Sequence, residues 1–129
     1  MAGIGGDSGC VLQVLADVGA NTVESLSALS QEMAFNAVKV RMGSAGSVSA
    51  ALALCQAARN AQLSLVIGCE EDAPESGDSF IADLAVAVGA GQFAAGGLHA
   101  CEFANKYTRV LEISREDESI QYVGRRFRL

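Results

Sequence analysis

Apolar residues along the chain follow two different spacings. Short apolar runs at residues 3–6, 37–42, 63–68 and 92–95 predict strands. Apolar residues three or four positions apart predict helices over 23–34, 47–58, 79–88 and 102–113. The apolar segment 10–18 fits either a helix or a packed loop. The order strand, loop, helix therefore occurs four times, which predicts parallel strands joined by right-handed crossovers.

Particular side chains define the predicted helix ends and faces. Asn21 and Glu24 have the spacing of a capping box, Ser47 is positioned to cap the second helix, and Asp78 or Ser79 the third. Residues 43–47 predict a flexible loop. The residues predicted to face inward are Val23, Leu26, Leu29 and Met33; Ala51, Leu52, Leu54, Cys55 and Ala58; Ile81, Leu84, Ala85 and Val88; and Phe103, Tyr107, Val110 and Leu111.

Composition agrees with a single α/β domain. Half of the 129 residues are hydrophobic. Most of the apolar side chains are small, because the chain has many Ala and no Trp. Small side chains suit helices packed closely on a sheet. We expect the domain to cover residues 1–115, followed by a charged tail over 116–129.

Charge and cysteine content exclude several classes of protein. The net charge of −6 argues against a nucleic-acid partner, and we interpret Arg125, Arg126 and Arg128 as a solvated or salt-bridged end. The 4 cysteines form no CxxC pair. No signal peptide and no apolar run of the roughly 20 residues that span a bilayer is visible. We therefore expect a soluble cytoplasmic protein that does not contact membranes.

Four segments, in order, resemble the enolase family. They are Ile4-Gly5-Gly6-Asp7, Ala37-Val38-Lys39-Val40, the helix 80–86 followed by Gly91-Gln92, and the stretch from Asn105-Lys106-Tyr107 to the tail 122–128. The resemblance implies part of a TIM (β/α)₈ barrel, about four βα units, in which active groups lie at the carboxyl ends of the strands. It also implies the chemistry of enolases, the magnesium-dependent conversion of 2-phosphoglycerate to phosphoenolpyruvate in glycolysis.

The resemblance assigns two site residues and shows where others are replaced. Asp7 matches the first Asp of the family's Gly-Asp-Asp, which binds magnesium, and Lys39 matches the lysine that removes the substrate proton. Cys69, Glu70 and Glu71 stand in the family's Ser-His-Arg-Ser segment, which here begins at Gly68. Ala94 stands where the family has a second lysine. Glu70 replaces an arginine that grips the anionic substrate, so phosphate would be repelled.

A rebuilt site is a further alternative at the same end of the predicted strands. Cys69, Glu70, His99 and Cys101 could bind zinc, and a cysteine could act as a nucleophile with a histidine base, although the spacing matches no motif.

Two functions remain open from the sequence. One is a degenerate enolase-like domain, non-catalytic by itself, that acts as a binding or structural module and needs no cofactor. The other is the C-terminal part of an enolase, completed by another chain or by further sequence, which would then use Mg²⁺. Four strands of a barrel leave two open sheet edges. We therefore expect self-association or another protein chain to cover them, together with the inner ends of Val38, Val40, Leu65 and Val66.

Overall fold

The fold is a four-stranded parallel sheet connected by helices. The computed structural model describes residues 12–17, 21–31, 35–69, 77–97 and 101–124. The elements are β1 (Leu15–Ala16), α1 (Val23–Gln31), β2 (Ala37–Arg41), α2 (Met42–Ala45), α3 (Val48–Asn60), β3 (Ser64–Gly68), α4 (Phe80–Ala87), β4 (Gln92–Ala94) and α5 (Cys101–Glu116). None of the helices in these ranges is long and apolar enough to cross a membrane.

Strand order in the sheet is the order along the chain, β1-β2-β3-β4, and every neighbouring pair is parallel. The prediction of four parallel strands is thus confirmed. Right-handed crossovers that all step in the same direction place their helices on one face of the sheet. The other face is left for side chains that would point into a barrel.

The first described strand differs from the sequence expectation. β1 lies at Leu15–Ala16, within the segment that fitted a helix or a packed loop, whereas the predicted strand 3–6 lies outside the described residues. Asn36 ties this short strand to β2, because its side chain accepts from Val14 N at 2.8 Å and donates to Leu12 O at 2.9 Å. Side-chain bonds therefore lengthen a pairing that covers only two residues in the sheet itself.

The alternation of side chains along the strands determines which face of the sheet each residue occupies. Val38, Val40 and Leu65 are at most 5% exposed and belong to the core between sheet and helices. Val66 is on the opposite face and is also 5% exposed. The expectation that the inner ends of these four residues lack cover is wrong, because three of them point toward the helices and the fourth is already buried.

The helix ends follow local side-chain chemistry. At α1 the capping box joins Thr22 and Ser25, not Asn21 and Glu24: each side chain accepts from the other's backbone N–H, at 3.1 and 3.0 Å. Ser47 caps α3 as predicted by accepting from Ala50 N. Asp78 Oδ1 accepts from Phe80 N at 2.9 Å, so Asp78, not Ser79, supplies the side-chain bond at α4. The predicted loop 43–47 instead overlaps the short helix α2, which covers Met42–Ala45.

The inward helix faces are confirmed in α4 and partly wrong elsewhere. Ile81, Leu84, Ala85 and Val88 are all buried. Leu52 of α3 is 45% exposed and Leu111 of α5 is 58% exposed. In α5 the buried positions are Lys106 and Ile113, with Phe103 and Tyr107 packed at the core margin. The α5 face was misplaced because its most buried side chain is a lysine, which an apolar pattern does not count.

The two edge strands are connected across the concave face. Gln13, which precedes β1, and Gln92 of β4 exchange two amide hydrogen bonds of 2.8 and 3.0 Å. β2 and β3 lie between these strands, so side chains of this length can meet only if the sheet is strongly curved. The barrel-like curvature is therefore held by a contact within this chain.

Candidate functional site

The carboxyl ends of the parallel strands meet at one edge of the sheet. Asp17 directly follows β1, Arg41 ends β2, Gly68 ends β3 and Ala94 ends β4. Arg41 pairs with Gly68 in the sheet register, and Gly68 pairs with Ala94. Because these residues are in register, their side chains, and that of Lys39 two positions before Arg41, share the concave face. This edge is the candidate site.

An ion cluster of one carboxylate and two cations occupies this edge. Lys39 Nζ lies 3.4 Å from Asp17 Oδ2, and Arg41 Nε lies 3.2 Å from Asp17 Oδ1. Arg41 also donates from a terminal nitrogen to the backbone carbonyl of Asp17 at 3.1 Å. The side chains of Lys39 and Arg41 are 4% and 14% exposed, and that of Asp17 is 35% exposed. Burying one negative and two positive charges together keeps both cations close to a counter-charge.

Gly68 leaves the space in which Lys39 lies. A Cβ added at Gly68 would overlap Lys39 Cε and would lie 3.3 Å from Lys39 Cδ and 3.0 Å from the carbonyl oxygen of Ala94. The aliphatic end of the lysine therefore lies directly against the glycine. Ala94, where the resemblance implies a second lysine, is also small. The absence of a side chain at Gly68 therefore allows this position of Lys39.

Cys69 is placed just beyond β3 and is buried at 4% exposure. Its backbone N–H donates to the Ala94 carbonyl at 3.1 Å, which extends the β3–β4 pairing by one step. Cys55, Cys69 and Cys101 form no disulfide, and burial raises the pKa of Cys55 above its usual range. Cys69 packs in the core between the sheet and the helices.

Several residues singled out in the sequence lie outside the described residues. They are Asp7, Glu70, Glu71 and His99, so the magnesium role of Asp7 and the charge reversal at Glu70 stay predictions. No group of three His, Cys, Asp or Glu able to hold a metal occurs within the described ranges.

Asp17 and Arg41 are site residues that the sequence reasoning missed. Asp17 follows an apolar run at residues 14–16, which is the same signal that drew attention to Asp7. The strand that precedes Asp17 is the one that pairs with the Lys39 strand. Arg41 falls two residues after Lys39, a spacing that puts both side chains on the same face of a strand. Period-2 alternation could have found it.

Magnesium is the ion that the enolase resemblance implies, and the described residues do not fit it. Asp17 Oδ1 is buried and accepts no hydrogen bond from the described part of the chain, a state that a hard cation could satisfy. However, Arg41 Nε is only 3.2 Å from that oxygen, and Lys39 Nζ is 3.4 Å from the other. A divalent ion beside two cations and one carboxylate would be electrostatically disfavoured.

The comparisons with known proteins agree on one family. The model described as "Enolase, C-terminal TIM barrel domain" matches residues 7–129. The chain is 37% identical over 83 residues to an enolase of Ureaplasma parvum serovar 3, covering 64% of this chain and 18% of that protein. It is 34% identical over 109 residues to an enolase of Mesomycoplasma hyorhinis, covering 84% of this chain and 24% of the relative.

A third relative, an enolase of Helicobacter hepaticus, is 33% identical over 90 residues, which are 70% of this chain and 21% of the relative. The chain thus spans no more than about a quarter of the length of these relatives. Four parallel strands in one sheet fit a part of the barrel that the matching model describes. The chain therefore belongs to the enolase C-terminal TIM-barrel domain family.

Proposed function

We propose that this chain is a degenerate enolase-family domain that is non-catalytic by itself and acts as a binding or structural module. The observation that carries the proposal is the state of Lys39. Its side chain is 4% exposed and its amine is paired with Asp17. The resemblance assigns to this lysine the removal of a proton from substrate, which needs an amine that can both reach the substrate and accept the proton.

The ion pair opposes the first requirement. A carboxylate lies 3.4 Å from the amine, so the amine has to leave that contact before it can reach a substrate. Leaving the pair would also leave Asp17 with Arg41 alone and would break a largely buried contact. Asp17 is partly exposed and would keep Arg41 as a counter-charge, so separating the pair costs about 1 kcal/mol.

The balance of charge at the site supports the same proposal. An anionic transition state needs cationic or hydrogen-bonding donors directed toward it. Lys39 and Arg41 are the cationic side chains in the described cluster, and they share the carboxylate of Asp17. Ala94 supplies no charge where the resemblance implies a lysine.

The second candidate is part of a magnesium-dependent enolase, completed by another chain or by further sequence. One observation favours it. Asp17 follows β1, and Lys39 lies in the adjacent parallel strand β2 within 3.4 Å of it, in the neighbourhood where the resemblance puts a metal-binding carboxylate and the base. Substrate and metal binding would then have to separate Asp17 from Lys39 and Arg41.

A turnover assay separates the two candidates. The purified chain is incubated with 2-phosphoglycerate, with and without Mg²⁺, and formation of phosphoenolpyruvate is followed by ultraviolet absorbance. We expect no turnover above the rate of a Lys39→Ala variant. Magnesium-dependent turnover by the chain alone, lost in that variant, would overturn the proposal.

The same assay on the native source tests the second candidate. Native protein is purified and its co-purifying chains are identified by mass spectrometry. Enolase activity that co-elutes with this chain and with an enolase-like upstream half would support a completed barrel. We also propose a cytoplasmic location, because Cys55, Cys69 and Cys101 form no disulfide in the described part of the chain, as in reducing compartments.

We propose a protein partner or self-association for the open sheet edges. β1 and β4 are the outer strands of the described sheet, and an unpaired edge presents free backbone donors and acceptors to another strand. Sedimentation velocity of the chain at micromolar concentration tests this. A compact monomer that folds cooperatively and binds no hydrophobic dye would contradict it.

A further inference from the structure

We propose that Gly68 is the positioning residue that commits Lys39 to its ion pair, and that a side chain at position 68 would turn the lysine amine toward solvent. This inference rests on the proposed function, since it explains why the lysine is held in an ion pair. Gly68 and Lys39 lie on neighbouring strands, and their contact can be tested without any activity measurement.

The geometry leaves little freedom at this point of the sheet. A Cβ at Gly68 would overlap Lys39 Cε, while on another side it would already be 3.0 Å from the Ala94 carbonyl oxygen. That oxygen is fixed, because it accepts from Cys69 N at 3.1 Å as part of the β3–β4 pairing. Backbone on one side cannot yield, whereas the end of a lysine side chain on the other side can. The lysine is therefore the group that must move.

Movement of Lys39 would break its contact with Asp17. The Cε atom that must move is bonded directly to Nζ, and Nζ is already at 3.4 Å from the carboxylate. Asp17 would keep Arg41 as a counter-charge, at 3.2 Å. The released ammonium has a route to water, because Asp17, beside it, is about one third exposed. Arg41 thus makes the displacement of Lys39 electrostatically tolerable.

The composition of the chain makes this displacement measurable. Lys39 and Lys106 are its two lysines. Lys106 is 1% exposed on α5, where its amine donates to the Glu102 carbonyl at 2.7 Å. Amine acylation at neutral pH, with peptide quantification by mass spectrometry, can therefore compare the two. General loosening of the fold would raise both rates, whereas local displacement would raise only that of Lys39.

The test compares Gly68→Ser with Gly77→Ser. Gly77 is a matched control because a Cβ there would meet nothing within 4 Å. We expect the ratio of Lys39 to Lys106 acylation to rise about tenfold in Gly68→Ser, equivalent to roughly 1.4 kcal/mol of released protection. The ratio should not change in Gly77→Ser. A folded Gly68→Ser protein with the wild-type ratio would overturn the inference.

A second comparison covers the case in which Gly68→Ser does not fold. The same change is made in a Lys39→Ala background, where the overlapping atoms are gone. We expect Gly68→Ser to lower the urea midpoint less in that background than in wild type. An equal loss, or failure of the double variant to fold, would place the clash at the Ala94 carbonyl and reject the role of Lys39. Turnover by the wild-type chain would reject the proposed function and leave these results interpretable.

Discussion

Three glycines allow backbone strain and side-chain crowding to be separated by experiment. Gly77, Gly46 and Gly96 are each changed to alanine, and the free energy of unfolding is compared. Gly77 has an ordinary φ and no atom near its Cβ position; Gly46 has φ +76 with equally open space. Gly96 has φ +78, and a Cβ there would lie 2.8 Å from Cδ1 of Phe103. Each step therefore adds one unfavourable effect.

The expected magnitudes follow in the same order. Gly77→Ala should stabilise by about 0.4–1 kcal/mol, because it restricts the unfolded chain and strains nothing. Gly46→Ala should destabilise by about 1–2 kcal/mol, the cost of the left-handed region for a residue with a Cβ. Gly96→Ala should lose a further 1–3 kcal/mol, roughly, from overpacking against Phe103.

Phe103 has little freedom to relieve the crowding at Gly96. It packs at the margin of the core, and one turn further along α5 Tyr107 donates to the Gly96 carbonyl at 2.8 Å. That bond holds the helix against the loop. Tyr107 in turn packs edge-on against Phe93 of β4, with ring centroids 5.7 Å apart. We therefore expect the full crowding penalty, not one reduced by movement of α5.

Urea denaturation at fixed protein concentration, followed by circular dichroism, measures all three variants. With a slope of about 1.5 kcal/mol per molar urea, an extra loss of about 2 kcal/mol lowers the midpoint by roughly 1.3 M. Fixed concentration removes any contribution from association. Equal midpoints for Gly46→Ala and Gly96→Ala would show that Phe103 moves aside at no cost, and would refute the crowding argument.

The ion cluster and the buried thiol give two more predictions. Asp17→Asn should lower the free energy of unfolding by about 2–3 kcal/mol, because Lys39 and Arg41 lose a shared counter-charge. Lys39→Met should lower it by less than about 1 kcal/mol, because Asp17 keeps Arg41. Similar urea midpoints for the two variants would contradict the role of Asp17 in the cluster. Burial raises the pKa of Cys55, so the unfolded state ionises first and stability should fall as pH rises above about 8.5. Cys55→Ala should flatten that fall in thermal melts; an unchanged pH slope would contradict it.

The sequence predicted the strands and helices well where apolar periodicity was strong. β2, β3 and α4 lie within one or two residues of their predicted ranges. β1 was missed because two residues give no alternation to detect, and its pairing depends on Asn36, a contact between distant positions. The inward face of α5 was misplaced because Lys106 is buried, which composition alone does not indicate.

The sequence predicts the place of the candidate site better than it predicts the contacts among the residues there. Lys39 lies in the middle of β2, and Ala94 is the last residue of β4. The contact between Lys39 and Gly68 could not be predicted from the sequence. It depends on the register of two strands and on the direction of a long side chain. Asp17 could not be predicted because β1 covers only two residues, whereas Arg41 follows from the alternation of β2, two positions after Lys39.

The amide pair between Gln13 and Gln92 has a consequence for the order of folding. These residues are separated by 79 positions, so their contact closes a long loop and is slow to form by chain diffusion. The contact of Gln13, before the first strand, can form only after the last strand has joined the sheet. A chain still being synthesised has no Gln92 until most of the domain has emerged. Closure of the curved sheet is therefore expected to be a late event, and loss of either glutamine should speed unfolding more than it slows folding.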